Sequence, residues 1–509
     1  MNTMFKTTIL SLSLILSCFI SLAQKDVKFG EVDKATIESK VYEKDKNAVA
    51  VVLYDYTKIT AVYFDSRSKK NTFKRIKIFK NEGLEYGTMV IPYYISANEK
   101  VIDIKGYTYN LENGKIVKTK LTDKQIFDVK KTKYNGEVKI TMPNIKEGSV
   151  IDISYNIDSE RDMNLGPWYF QTTIPIEWCE LELLTPYNWD YTPIYRNERD
   201  FYISQNLKET ASNGMIISRK RYVLKDVSAF SNDKSFIATP EDYIGHAFFL
   251  LATIYQDYRE PRKFLTNWSE TAYSLGIMAD FYSKDAFVKD KITPLTNGKT
   301  DDEKISIVFD YVKNNFKCTS KDFSKNTKEI FDKKEVNVFE LSYLLINYLR
   351  SSGLEAHPIL LSTRDNGRVI KDYPLRRQFN YMIVYVKTKE GKEIYLDPTN
   401  NLHSVGIIAK RALSYDGILI FPESKYEWVD LRHVPKTSTL KTGLINISAD
   451  GYLKGKITTQ LQGYEALEVR NKLKGIDDSL SIKESSELKE DTIKVEYKNV
   501  DDIKKSLEY

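Results

Sequence analysis

Cysteine and histidine are scarce in this sequence, with 3 Cys and 4 His among 509 residues. No C-x-x-C or H-E-x-x-H spacing occurs, which excludes a zinc site of the usual kind. Any hydrolytic or acyl-transfer chemistry would draw on very few side chains. A surplus of one charge is missing too. Lys and Arg total 76 against 70 Asp and Glu, and the two signs are interspersed. The net charge of +6 forms no basic run or stripe, so the chain carries no nucleic-acid signature. Beyond the first two dozen residues, no apolar run approaches the roughly 20 residues of a membrane-spanning helix. What is present is globular. Hydrophobic residues make up 42% and charged residues 29%, which excludes a wholly disordered chain. The length suggests about three domains. Tyrosine is abundant at 35 residues, which suits β-sheets with one face toward water.

The first residues bear on compartment. Lys6 supplies a positive start, an apolar stretch runs from about Thr8 to Leu22, and Ser21-Leu22-Ala23 places small residues at a signal-peptidase site. Residues 1–23 are therefore expected to be a signal peptide, cleaved after Ala23, and the protein to be exported to the periplasm or cell envelope. A lipoprotein at Cys18 is disfavoured, because Leu16 fits a lipobox poorly and apolar residues follow the cysteine. Removing the leader leaves Cys179 and Cys318, which fall in different expected domains. No disulfide framework is available, so the domains must rely on ordinary cores.

Residues from about Lys40 to Val227 read as β. Ala48–Tyr54, Ile59–Phe64, Phe73–Phe79 and Val101–Tyr109 are β-branched, aromatic or alternating runs. Asn113-Gly114 and Asn135-Gly136 predict hairpins, and Lys146-Glu147-Gly148-Ser149 a further strand connection. The cluster Trp168-Tyr169-Phe170 reads as core at a sheet edge. After about Asp242 the period changes. Trp268, Ala272, Leu275 and Ala279 fall at helical spacing. Thr300-Asp301-Asp302-Glu303 predicts a capping box ahead of a helix with Ile305, Val308, Phe309, Val312 and Phe316 on one face. A second box, Asn337-Val338-Phe339-Glu340, opens a helix over Val338–Arg350 that Gly353 closes. Strands are expected at Ala356–Thr363, Phe379–Lys387 and Glu393–Leu396. From about Tyr426 the pattern returns to β, with Asp450-Gly451 as a hairpin turn, a helix over Glu465–Lys474 and a strand over Thr492–Tyr497.

Glu335–Asn400 resembles the core of a transglutaminase-like (papain-like fold) domain. The resemblance rests on Asn337-Val338-Phe339-Glu340, on Leu344-Leu345, on Leu349-Arg350 with Gly353-Leu354-Glu355-Ala356, on Phe379-Asn380-Tyr381-Met382-Ile383, and on Leu396-Asp397-Pro398-Thr399. The preceding β region, notably Thr141-Met142-Pro143-Asn144 with Glu147-Gly148-Ser149-Val150, resembles a domain of unknown function that accompanies this core in secreted bacterial proteins. The resemblance implies a multidomain α+β fold. It places a β-sandwich-like N-terminal domain over 24–240, a transglutaminase-like α+β domain over 241–425, and a β-rich C-terminal domain over 426–509 that reads as incomplete.

In that family a cysteine opens the helix, a histidine lies on a following strand and an aspartate ends the next. The thiolate is favoured by the helix dipole, the histidine moves the proton, and the aspartate orients the histidine. The matching positions here are Val338, Tyr381 and Asp397. Valine has no nucleophilic atom, and a phenol is a poor base at neutral pH. No catalytic residue is thus assigned, and no cofactor or metal is expected. Cys318, His357 and Asp397 occur in the order Cys…His…Asp, but Cys318 follows a helix instead of opening one and lies well upstream, so this set is not expected to assemble. Ser342, the nearest hydroxyl, sits a turn into the helix, where the dipole has faded. Asp397 could equally form an Asx-type turn. Arg364, Arg368, Lys371, Arg376 and Arg377 lie in one loop and could gate a groove, bind an anionic partner or form a solvated face. The expectation is a pseudoenzyme: an exported, non-catalytic protein binding a peptide or an envelope protein, with no nucleic-acid partner and no membrane span after leader cleavage. The alternative is an active thiol protease, amidase or transglutaminase-like enzyme using Cys318 or another, unrecognised group. The sequence shows no oligomerisation signal.

Overall fold

The computed structural model describes residues 25–62, 67–160, 164–197, 200–211, 213–231, 237–265, 267–274, 286–319, 327–432, 435–475 and 495–509. The expected signal peptide, its cleavage site, Cys18, Leu275, Ala279 and Thr492 lie outside the described residues. Two compact units form, one from residues 1–233 with 243–264, the other from 234–242 with 265–509.

The first unit is mostly sheet around one large core, with smaller apolar clusters and a short helix, Lys34–Glu38, beside it. Its eight-stranded sheet runs in the order Ile203–Thr210, Ile216–Val227, Ile176–Pro186, Ala50–Val62, Arg67–Ile78, Val150–Ser159, Lys100–Glu112, Lys115–Lys120. Ala50–Val62 and Ile176–Pro186 are parallel, whereas the other neighbours are antiparallel. A smaller sheet holds Asn164–Tyr169, Trp189–Arg196, His246–Gln256 and Arg259–Lys263, and a third holds Thr88–Tyr94, Asn135–Thr141 and Ile126–Lys130. Residues of all three meet in one cluster that includes Ile59, Ile153, Leu181, Trp168, Phe249, Ile91 and Ile140. Trp168 and Phe170 are buried there, as expected of core aromatics, whereas Tyr169 between them is exposed. The apolar run Phe248-Phe249-Leu250-Leu251 is a strand within this unit.

Asn113-Gly114 turns between Glu112 and Lys115, with Asn113 and Gly114 both at positive φ. Asn135-Gly136 is different. Both residues belong to the strand Asn135–Thr141, and the turn lies before them. Glycine is needed at 136 because a Cβ there would lie 2.3 Å from the Tyr93 ring.

The second unit is centred on an antiparallel sheet in the order Glu393–Leu396, Tyr381–Lys387, Glu355–Leu361, Asp416–Ile420, Tyr426–Asp430. Alternation assigns its faces. Leu360, Met382, Val384 and Val386 point into a cluster shared with the helices Asp301–Asn315 and Val338–Ser351. Ile359, Leu361, Tyr381, Ile383 and Tyr385 line the other face, with Ile408, Ala409 and Ala412. Both capping boxes form as expected, at Thr300 with Glu303 and at Asn337 with Glu340. A last sheet pairs Ser438–Ile447 with Leu453–Gln462 and Leu507–Glu508 beside the helix Tyr464–Leu473. Among the described residues no helix is long and apolar enough to cross a membrane.

The expected multidomain α+β class is not what forms. Strand accounts for 45% of the structure and helix for 20%, the strands fall in several sheets, and no clear central α+β transglutaminase-like domain stands out. The helical periodicity behind that expectation is real but short-ranged. It is confined mainly to the segments before and after Asn337, while β-branched and aromatic alternation governs the rest.

Candidate functional site

Asn337 has extended backbone, and its side-chain oxygen accepts from the Phe339 and Glu340 amides, both at 3.0 Å. Glu340 returns the bond by accepting from the Asn337 amide at 3.1 Å. This fixes where the helix begins and makes Val338 its first residue. Val338 is half-buried against the cluster that contains Tyr381. Ser342, one turn on, is buried and donates to the Met382 carbonyl at 2.9 Å, which ties the helix to the sheet.

Antiparallel pairing of Tyr381–Lys387 with Glu393–Leu396 carries Asp397 back toward the start of its neighbour. The Tyr381 hydroxyl lies 3.2 and 3.1 Å from the two carboxylate oxygens of Asp397, and 2.6 Å from Thr399 Oγ1. Asp397 is fully buried and accepts three more bonds, from the Thr399 amide at 3.1 Å, Thr399 Oγ1 at 2.7 Å and the Ala409 amide at 2.8 Å. It is an Asx-type turn and the anchor of the Tyr381 phenol at once. Burial, reinforced by the Asp397 charge, pushes the phenol well above its ordinary range. The Arg411 guanidinium carbon lies 4.8 Å from the Tyr381 ring centroid.

Cys318 is placed where sequence distance gave no reason to expect it. Lys317–Cys318 forms a short parallel ladder with Glu335–Val336, the two residues before Asn337. The Thr319 amide extends it by donating to the Val336 carbonyl at 2.8 Å. Cys318 therefore lies alongside the start of the Val338 helix, and it lines a cleft of about 680 Å³ with Thr399, His403, Ala409 and Arg411. Burial first, and then the Asp397 charge, pushes its thiol up to about 11, with Arg411 opposing.

His403 enters the same cleft. It is buried, and its Nδ1 lies 3.0 Å from the Asp397 carbonyl. A carbonyl only accepts, so in the neutral ring Nδ1 carries the hydrogen and Nε2 is the acceptor. The buried Lys313 amine donates to the His403 carbonyl at 2.6 Å and pairs with Asp310 at 3.1 Å.

The other candidates are elsewhere. His357 is buried on Glu355–Leu361, with Nε2 3.2 Å from Glu355 and its ring 4.8 Å from that of Phe421. Burial lowers its pKa. It is not joined to Asp397 or Cys318. The five-residue basic loop is not one anion site. Arg368 pairs with Asp242 at 3.7 Å and stacks on Tyr415, and Lys371 pairs with Asp416 at 2.7 Å. Among the described residues, no group of three or more His, Cys, Asp or Glu is placed to hold a metal ion.

Comparison with known proteins follows the same division. Residues 65–220 match a family described as a domain of unknown function with a solved structure, DUF3857. No curated protein matches the chain in sequence. Among solved structures, the chain is similar to a crystal structure described as a "putative protease" from Parabacteroides distasonis. That similarity has a TM-score of 0.51 at 15% identity and covers 79% of this chain and 78% of the other. At 15% identity the likeness bears on the fold alone.

Proposed function

We propose that the chain is an exported, non-catalytic protein that holds a peptide, free or as part of an envelope protein, in the cleft beside Cys318, Thr399 and Arg411. The observation that carries this reading is the Tyr381–Asp397 pair beside Val338. The helix start presents an alkyl side chain, and the carboxylate that would orient a base is saturated by a phenol, a hydroxyl and two amides. Nothing at these positions can attack a carbonyl or take a proton at neutral pH. Cys318, the one thiol near the cleft, is held as the neutral form by burial. Export rests on the leader sequence alone.

A second reading is favoured by one observation. Cys318 and His403 line the same cleft, and the hydrogen bond to the Asp397 carbonyl leaves His403 Nε2 as an acceptor. A thiol hydrolase would use that nitrogen as base, and the solved structure of similar fold is described as a "putative protease". The two readings separate in one assay. The full chain is incubated with a peptide panel and product is followed by mass spectrometry, with and without iodoacetamide. Absence of turnover supports the binding reading. Hydrolysis abolished by iodoacetamide and by Cys318→Ala would overturn it.

A further inference from the structure

We propose that the ligand of this cleft is an acidic peptide, with a carboxylate seated on Arg411 and flanked by Lys317 and Lys334; this rests on the binding reading above. The charge of the cleft is one-sided. Five basic residues line it and one acidic residue, Glu335. Two of the five are already committed. Lys313 is spent on Asp310 and the His403 carbonyl, and Lys333 pairs with Glu329 one helical turn away. Lys317, Lys334 and Arg411 are exposed and have no ion pair with a carboxylate among the described residues.

Their placement is fixed by the fold. The Lys317 amide donates to the Lys334 carbonyl at 2.8 Å, so Lys334 lies just before the strand that pairs with Lys317. Arg411 is the middle residue of a short 3-10 turn, Lys410–Ala412, and its guanidinium stacks on the Tyr381 face. The Arg411 side chain also hydrogen-bonds Tyr381, and the guanidinium's remaining N–H groups are left for carboxylate binding. Asp397 beneath does not need that charge, because amides and hydroxyls already satisfy it.

The remaining lining suits a peptide chain. Asn314 and Asn401 offer amide donors and acceptors, and Phe316 and Pro398 supply apolar contact. A cleft of about 680 Å³ has the size of a site for a few residues. Such a ligand is smaller and less highly charged than a nucleic-acid duplex.

The test uses the full chain and three fluorescein-labelled hexapeptides, alternating alanine with glutamate, glutamine or lysine, read by fluorescence anisotropy. The expected result is binding of the glutamate peptide at least about tenfold tighter than the glutamine peptide, weakening as salt rises. Arg411→Gln, and Lys317→Gln with Lys334→Gln, should each weaken it about fivefold or more. Lys441→Gln with Lys454→Gln, a matched charge change on the exposed last sheet, should leave it unchanged. Equal binding of the glutamate and glutamine peptides, or equal loss in the control variant, overturns the acidic preference while leaving the peptide-binding reading in place. Binding of none of the three overturns both. A single-stranded oligonucleotide that binds more tightly than the glutamate peptide, and loses affinity in Arg411→Gln, assigns the cleft to nucleic acid and overturns the proposal.

Discussion

Cys318 is the ladder partner of Val336, two residues before the Val338 helix begins. This contact brings the one half-buried thiol of the described residues to the cleft and also burdens it. Burial and the nearby Asp397 raise its pKa to about 11, against about 8.5 for a free cysteine. At pH 7.5 the thiolate share falls from roughly 9% for a free thiol to about 0.03%. Alkylation at Cys318, followed by peptide mass spectrometry, should run about three-hundredfold slower than for a free cysteine, in proportion to its thiolate share. The rate should climb about tenfold per pH unit up to near pH 11. A plateau near neutrality would show an activated thiol and favour the hydrolase.

The Asp397 cage should matter to stability before it matters to any chemistry. Asp397→Asn replaces one of the two acceptor oxygens with an NH2 donor that must face the Thr399 or the Ala409 amide, and should lower unfolding free energy by about 3 kcal/mol or more. Tyr381→Phe removes one donor of several and should cost about 1–2 kcal/mol. Urea unfolding distinguishes the two. Equal small effects would mean that the carboxylate is not an anchor.

If Val338 and Tyr381 occupy the nucleophile and base positions, Val338→Cys with Tyr381→His should create a thiol that reacts faster at pH 7.5 than Cys318. The new cysteine would sit at the first residue of a helix of 14 residues, where the dipole favours a thiolate. Peptide-resolved iodoacetamide kinetics measure both cysteines in one sample. No gain over Val338→Cys alone would argue against the residue correspondence.

In the first unit, Arg75 and Asp152 form a buried ion pair at 2.7 Å that clasps the segment before the first long strand. Arg75 donates to the Lys28 and Glu31 carbonyls at 2.9 and 2.6 Å, and Asp152 accepts from the Gly30 amide at 2.9 Å. Arg75→Met should cost about 3–5 kcal/mol, because Asp152 is left buried without its partner. It should also open residues 25–39 to limited proteolysis. Unchanged proteolysis would mean the clasp is held by other contacts.

Lys77 is fully buried, donates to the Ile37 and Gly148 carbonyls, and is lowered by burial to about 8 from 10.5. Below pH 8 both folded and unfolded chains keep this proton, and the penalty of the buried charge is fully present. Between about pH 8 and 10.5 the folded form releases it while the unfolded form holds it, so this group makes the fold more stable as pH rises. The stability difference between the native chain and Lys77→Met should therefore be flat below pH 8 and grow in favour of lysine above it. A difference that shrinks with rising pH would contradict the burial of a charged amine.

Much of this protein is determined locally. The capping boxes at Thr300 and Asn337, the Asn113-Gly114 turn, the glycine that ends the Val338 helix and the Asp397-Pro398-Thr399 turn all depend on residues within about four positions of each other. The scarcity of Cys and His likewise fixed in advance how few groups could do chemistry. Other features needed the tertiary structure. Sheet register and topology, which no short window contains, bring Cys318, His403 and Arg411 to one cleft. Gly136 answers to the Tyr93 ring across a strand pair, not to a turn. The predominance of β over the expected α+β arrangement follows from the same cause, because pairing between distant segments decides how many short apolar runs become strands.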